Sequence, residues 1–380
     1  MNISESARRL PQRGTTMEHE PILELPPGPI DIVGDVHGHL AELRDLVRLL
    51  GYDDEGGHLA GRRLVFVGDL CDRGPDSPGV FRWVMRAAQR NGAVCVLGNH
   101  ELALIDTDEN ERQKAGNAWF FGNPAKLDKD RADFGDFESA TPEDRRTIEA
   151  FCDSLPILVE HPDVTIVHAC LDPACVEFVR THAGAANREL VEASNARAVS
   201  ALRAAGLETR FPEAKRLLES RRRTEDWAPH RGVTVDEQRL IDDLVPGEYI
   251  EQRENPVRVL TSGHERPAPR AAWLGKKWRF MERVPWWQDM PPERPVVFGH
   301  YWRQREHLPT GPYDEHAKLF GAARAEEWLG ADRLAMCVDY RWPQDWSRAA
   351  LGAYRPDRGE LVFCDGVRLA SRWGHALGHP

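Results

Sequence analysis

The chain predicts an α/β fold: two β-sheets packed face to face as a sandwich, helices on the outside, and a helical insert. Three observations carry that expectation. Short apolar runs alternate with stretches of helical periodicity in the N-terminal part. Those runs end in charged motifs, GDVHG at 34–38, GDLCDRG at 68–74 and GNHE at 98–101, joined later by VHA at 167–169 and FGH at 298–300. Apolar runs then resume beyond a long, charged, helical stretch.

Taken in order, Ile30–Val33 reads as a strand ending in the first motif. Leu43, Leu46, Val47 and Leu50 recur at the spacing of one helix face. Leu64–Val67 is a second strand, and Ser77-Pro78 after it reads as an N-cap followed by proline at the first helical position. Val80, Trp83, Val84 and Ala87 give that helix one apolar side, and Ala93–Leu97 forms a third strand. Such β-α-β-α-β order implies a mainly parallel sheet with right-handed crossovers. Ligand sites in these sheets lie at the carboxyl ends of the strands, where all three motifs fall. Residues 103–150 are polar and read as an insertion near the site. Thr165–Val167 is the next strand. Later strands are expected at Val257–Leu260, Val296–Phe298 and Leu334–Val338, then a hairpin of Leu351–Tyr354 and Leu361–Cys364. The expected organisation is a disordered tail over 1–27, one domain made of 28–175 and 257–366, a helical insert or cap over 176–256, and a second tail over 367–380.

Composition narrows the function classes. Of the 380 residues 41% are hydrophobic and 29% charged, as in soluble globular proteins. No apolar run reaches membrane-spanning length, and the N-terminus lacks the apolar core of a secretory signal. The seven cysteines show no metal-binding spacing, which suggests reduced thiols and a cytoplasmic protein. A net charge of −11 argues against nucleic acid as a partner. The basic run Arg221–Arg223 is bracketed by acids and reads as a solvated helix face.

The strand-end motifs carry the chemistry. Asp35 and His37 flank one residue, so both can point to one side. Asp69 ends the neighbouring strand, where a carboxylate can bridge two cations. Asn99 offers an amide oxygen and His168 an imidazole, while the last ligand is His264 or His300, each following an apolar run and a glycine. Oxygen donors mixed with imidazole suit two divalent ions, Mn²⁺ first, with Fe or Zn²⁺ as alternatives. Two such ions hold a hydroxide for in-line attack on a phosphoryl group. Arg73 matches two phosphate oxygens, and Asn99 also borders the substrate position. His100 is placed as the acid that protonates the leaving alkoxide, oriented by Asp72. Gly34, Gly68 and Gly98 precede these donors at turns expected to need unusual dihedrals.

At these residues the chain resembles the calcineurin-like metallophosphoesterases of the phosphoprotein phosphatase superfamily, well over 28–175 and loosely over 295–366. The resemblance implies the metallophosphoesterase fold, with Asp35 and His37 on the first metal, Asp69 bridging, and Asn99, His168 and His300 on the second. It also implies Arg73 as the phosphate clamp and His100 with Asp72 as the acid. DRG and GNHE look like the serine/threonine phosphatase branch. FGHYW and the strand bearing Asp339 look like the symmetrical dinucleoside tetraphosphatases, although Tyr340-Arg341 departs from that pattern and Cys170 replaces an expected glycine. The second phosphate-binding arginine has Arg253, Arg258 and Arg270 as candidates. The implied function is hydrolysis of phosphate monoesters, foremost as a serine/threonine protein phosphatase. The alternatives are a dinucleoside tetraphosphate or other small phosphoester hydrolase, and a non-catalytic scaffold that binds phosphorylated partners.

Other features read as structural. Trp119–Phe121 and Trp286-Trp287 are expected to pack in the core or anchor the insert rather than line a groove. Cys71 is expected to pack inward, and His375 and His379 belong to a terminal tail.

Overall fold

The computed structural model describes residues 20–106, 117–274, 276–306, 315–341 and 350–371. Two sheets form its centre, as expected. One has six strands in the order Arg368–Ala370, Glu360–Phe363, Gly352–Arg355, Ile30–Val33, Arg63–Phe66, Val94–Cys95. Its last three strands are mutually parallel, and the C-terminal hairpin joins them antiparallel. The other has five, in the order Ile22–Glu24, Leu158–His161, Val164–Val167, Val296–Phe298, Ala335–Cys337.

Alternation along the strands decides what each residue buries. Ile32, Val65 and Val67 of the first sheet meet Val159, Ile166, Val297, Met336 and Val338 of the second in one cluster between the sheets. Their sequence neighbours Val33, Leu64 and Phe66 turn outward and pack with Leu43, Leu46 and Val47 of the helix Leu40–Leu50. Both faces of the strands are therefore buried, which is why these segments read as continuous apolar runs. The helix Ser77–Asn91 packs its buried Val80, Trp83, Val84 and Ala87 in the same outer layer.

Several local expectations are corrected. The cap of Ser77–Asn91 is Asp76, whose carboxylate accepts the Gly79 N–H, while the Ser77 hydroxyl accepts the N–H of Asp72. Val257–Leu260 is helical, not a strand: Asn255 caps the helix Pro256–Ser262 by accepting the Arg258 N–H, and Pro256 pre-sets its first turn. The segment expected as an insert carries the helices Asn187–Ala204, Arg210–Arg222 and Val235–Arg253. It continues into an unforeseen antiparallel hairpin, Glu265–Leu274 with Lys277–Arg283. Leu202, Phe211, Leu218, Leu244, Trp278 and Phe280 give these elements a small core of their own. Ile22–Glu24 pairs with Leu158–Glu160, and Arg368–Ala370 with Glu360–Val362, so strands stand within both segments expected as tails. His375 and His379 lie outside the described residues. Among the described residues no helix is long and apolar enough to cross a membrane.

Candidate metal centre and active site

The site is built from strand ends of both sheets. Asp35 and His37 follow Ile30–Val33, Asp69 follows Arg63–Phe66, and Asn99 opens the short helix after Val94–Cys95. From the opposing sheet, His168 follows Val164–Val167, His300 follows Val296–Phe298, and Asp339 follows Ala335–Cys337.

Asp69 is central. Its Oδ2 lies 3.7 Å from Nε2 of His37 and 3.7 Å from Nε2 of His100, whereas its Oδ1 lies 3.3 Å from Nε2 of His168. Asn99 Oδ1 is 3.2 Å from His168 Nε2 and 2.8 Å from His300 Nδ1. Asp35 Oδ2 is 3.9 Å from His37 Nε2 and accepts the His300 backbone N–H at 3.1 Å. Two donor groups thus share one carboxylate, with His37 and His100 on one side, His168 and His300 on the other. His37 donates Nδ1–H to the Cys71 carbonyl at 2.9 Å, and His168 donates its own to Val67 at 2.7 Å. Each ring is thereby fixed with its Nε2 lone pair facing the cluster, the arrangement a metal-ligating imidazole needs.

The electrostatics also fit a cation. Burial, and next the Asp339 carboxylate, push the Asp35 carboxyl well above the usual range. Burial opposes the charge on Asp69 too, yet His168 and His100 hold its carboxyl well below that range. Burial works against a proton on His168, but Asp69 raises its pKa to about 10. Divalent ions would replace that proton as the partner of Asp69 and would offset the burial of the Asp35 carboxylate. The Arg73 guanidinium already packs against His37 Nε2, and its Nη2 lies 3.1 Å from His100 Nε2. A cation therefore stands beside the first donor group. Oxygen and imidazole donors without a thiolate suit a pair of hard-to-borderline divalent ions.

Backbone strain concentrates here. Of eight described non-glycine residues with positive φ, six are His37, Asp69, Asp72, Arg73, His300 and Trp302. Each costs on the order of 1–3 kcal/mol and persists because both sheets over-determine the turns. Of the three glycines expected to need unusual dihedrals, only Gly68 has a positive φ, at 101°. Gly34 is required for space instead: a Cβ there would lie 2.0 Å from the Val338 carbonyl oxygen.

The proposed acid is supported from two directions. Asp72 Oδ2 accepts Nδ1–H of His100 at 2.5 Å, and its Oδ1 accepts the indole N–H of Trp119 at 2.5 Å. Trp119 is buried, so the packing expectation holds, but its polar end also reaches the site. Glu101 is fully buried beneath Asp69 and accepts the N–H groups of Asp69 and Leu70, both at 2.8 Å, and of Gly98 at 3.1 Å. The sequence shows both residues but not these contacts.

His264 Nε2 lies 2.9 Å from Asp172 Oδ2, outside both donor groups. Arg258 pairs with Glu251, Arg253 stacks beside Tyr249, and Arg270 is exposed. The arginine that reaches the site from this region is Arg283, which donates to the His300 carbonyl at 3.3 Å and lies 5.1 Å from the Trp302 ring centre. Cys71 and Cys170 are buried, and burial pushes both thiols well up. Trp286 and Trp287 pack against Phe298 in the core.

In its N-terminal part the chain is 47% identical over 74 residues to the asymmetrical bis(5'-nucleosyl)-tetraphosphatase PrpE of Oceanobacillus iheyensis, covering 19% of this chain and 30% of that protein. The corresponding Bacillus subtilis protein is 45% identical over 73 residues, covering 18% and 30%. The matched segment thus spans under a third of these relatives. Among solved structures, the cold-active protein-tyrosine phosphatase of a psychrophilic Shewanella covers 97% of this chain and 88% of its own, at 14% identity and a TM-score of 0.43. A Saccharomyces cerevisiae serine/threonine phosphatase similar to human PP5 covers 95% and 86%, at 14% identity and the same TM-score of 0.43. The calcineurin-like phosphoesterase family matches residues 28–267, more than half of the chain. With that match and the donor groups described above, the chain belongs to the calcineurin-like phosphoesterase family of metal-dependent hydrolases.

Proposed function

We propose that this protein hydrolyses phosphate esters with two divalent ions, Mn²⁺ first among them. Asp35, His37 and Asp69 would hold one ion, and Asp69, Asn99, His168 and His300 the other. The observation that carries this reading is the division of Asp69, one oxygen toward each donor group. When bound, the ions would supply an activated water and neutralise charge on the phosphoryl oxygens.

The chain's own groups would do the rest. Arg73 offers two parallel N–H donors to phosphoryl oxygens. Asn99 borders the same position. His100 delivers its Nε2 proton to the leaving oxygen, and Asp72, held by Trp119, keeps the ring turned with Nδ1–H inward. DRG and GNHE favour serine/threonine phosphoproteins as substrates. The likeness of the N-terminal part to tetraphosphatases favours a second reading, a dinucleoside polyphosphate.

The test compares phosphate release from a phosphothreonine peptide with nucleotide release from diadenosine tetraphosphate, using Mn²⁺-loaded protein and an Asp69→Asn control. Turnover of either substrate that Asp69→Asn abolishes supports the reaction. Activity that survives in Asp69→Asn would overturn it.

A further inference from the structure

The turn after the strand Val296–Phe298 carries two residues in the left-handed region, His300 at φ 69° and Trp302 at φ 55°. Between them Tyr301 is buried against Trp287 and Phe298. His300 serves the second donor group. Trp302 offers an ion no lone pair, yet a bulky side chain at positive φ carries a conformational cost. The strained turn is held from the neighbouring strand end: the Trp302 N–H donates to Asp339 Oδ2 at 2.8 Å, and the Arg303 N–H to the Asp339 carbonyl at 2.8 Å. What it delivers is a half-buried indole over which the Arg73 guanidinium lies, with Cζ 5.0 Å from the ring centre. Arg341 at 3.8 Å and Arg283 at 5.1 Å approach the same ring, Arg283 being paired with Glu315 at 3.7 Å.

The ring matters because of what else holds Arg73. Burial opposes the guanidinium charge, and the Asp69, Asp339, Asp72 and Asp35 carboxylates offset that burial through space. Its side-chain hydrogen bonds, among the described residues, go to two imidazole nitrogens, His37 Nε2 and His100 Nε2. Both nitrogens have other duties in the proposed reaction. His37 Nε2 faces the first ion, and His100 Nε2 carries the proton for the leaving oxygen. An imidazole nitrogen that binds a cation or bears a proton has no lone pair left to accept from a guanidinium. The indole face has no second duty: its quadrupole attracts Arg73 whatever the state of the two imidazoles.

We propose that Trp302 is the positioning residue of the phosphate clamp, its ring face holding the Arg73 guanidinium toward the phosphoryl group while His37 and His100 perform their own tasks. This rests on the phosphoesterase reading and deepens it. Trp302 touches no reacting atom; it acts through Arg73 and sets how tightly phosphate is held.

The test measures binding of inorganic phosphate by calorimetry to the full chain at saturating Mn²⁺, in wild type, Trp302→Leu, Arg73→Ala and the double variant. Trp302→Leu weakens phosphate roughly tenfold when Arg73 is present, the scale of a partly desolvated cation–π contact, and less than about twofold when Arg73 is already alanine. Trp302→Phe, which keeps a ring face, stays within about threefold of wild type. An unchanged affinity in Trp302→Leu, a loss of equal size in both backgrounds, or one that Trp302→Phe shares in full overturns the proposal and leaves Trp302 as packing. Should Trp302→Leu fail to fold, the same cycle with Trp302→Phe decides: a loss of about two- to threefold that vanishes in Arg73→Ala supports the role, and one that persists there removes it. Hydrolysis of p-nitrophenyl phosphate by wild type reports separately on the reaction. Turnover with additive losses removes the positioning role alone, and coupled losses without turnover remove the reaction alone.

Discussion

Trp119→Phe isolates the hydrogen bond that ties the segment after GNHE to the proposed acid. The phenyl ring keeps most of the contact with Phe81, whose ring centre lies 6.2 Å away, and with Phe120 at 5.3 Å. What it removes is the indole N–H on Asp72 Oδ1. Asp72 is 4% exposed, so water does not readily replace that donor. A hydrogen bond to a buried charged group contributes about 1.5–3 kcal/mol, and the smaller ring leaves a cavity costing on the order of 1 kcal/mol. Urea unfolding should therefore show a loss of about 2–4 kcal/mol. A carboxylate with one partner fewer also holds His100 less firmly. If about 1.4 kcal/mol of that reaches the transition state, kcat for p-nitrophenyl phosphate falls roughly tenfold. KM should change much less, because Arg73 is untouched. A variant that loses the stability but keeps kcat within about twofold of wild type would refute the coupling and leave Trp119 as packing alone.

Two further outcomes are expected. Glu101→Gln replaces an acceptor oxygen by an N–H donor opposite the N–H groups of Asp69, Leu70 and Gly98. By loosening the bridging residue it should weaken Mn²⁺ binding about 10–100-fold, measured by calorimetry. Asp172 caps the helix Pro173–Thr181, accepting the N–H groups of Ala174 and Cys175, and its pairing with His264 draws its carboxyl down to about 2. Because the folded value lies below the ordinary one, the stabilisation is present above about pH 4 and disappears as pH falls toward 2. Asp172→Ala should cost about 1 kcal/mol near neutral pH, a gap that narrows in urea titrations at progressively lower pH.

The candidate donors were legible in the sequence because each sits one to four residues past a short apolar strand, and strand order alone carries such positions to one edge. The two-sheet fold was legible for the same reason. What escaped was set by contacts between distant residues. Ile22–Glu24 is a strand only because Leu158–Glu160 lies beside it. Val257–Leu260 is too short a run for periodicity to separate strand from helix, and Asn255-Pro256 before it was the overlooked signal. Glu101 is visible as part of GNHE, but its three N–H partners become visible only when the turns around Asp69 and Gly98 are folded together. Arg283 was missed because the hairpin that delivers it is held by pairing, not by a local motif.

The distribution of the donors has a consequence for how the molecule matures. Asp35 and His300 touch although 265 residues separate them, and the sheet carrying His300 gains its edge strand only with Ala335–Cys337. An N-terminal fragment ending before His300 lacks a member of the second donor group. Contacts of such long range form late, after the loop entropy between them has been overcome. During synthesis the N-terminal motifs emerge first, yet they wait for the last third of the chain before the centre is whole. Both donor groups are therefore present together only once the chain has reached His300.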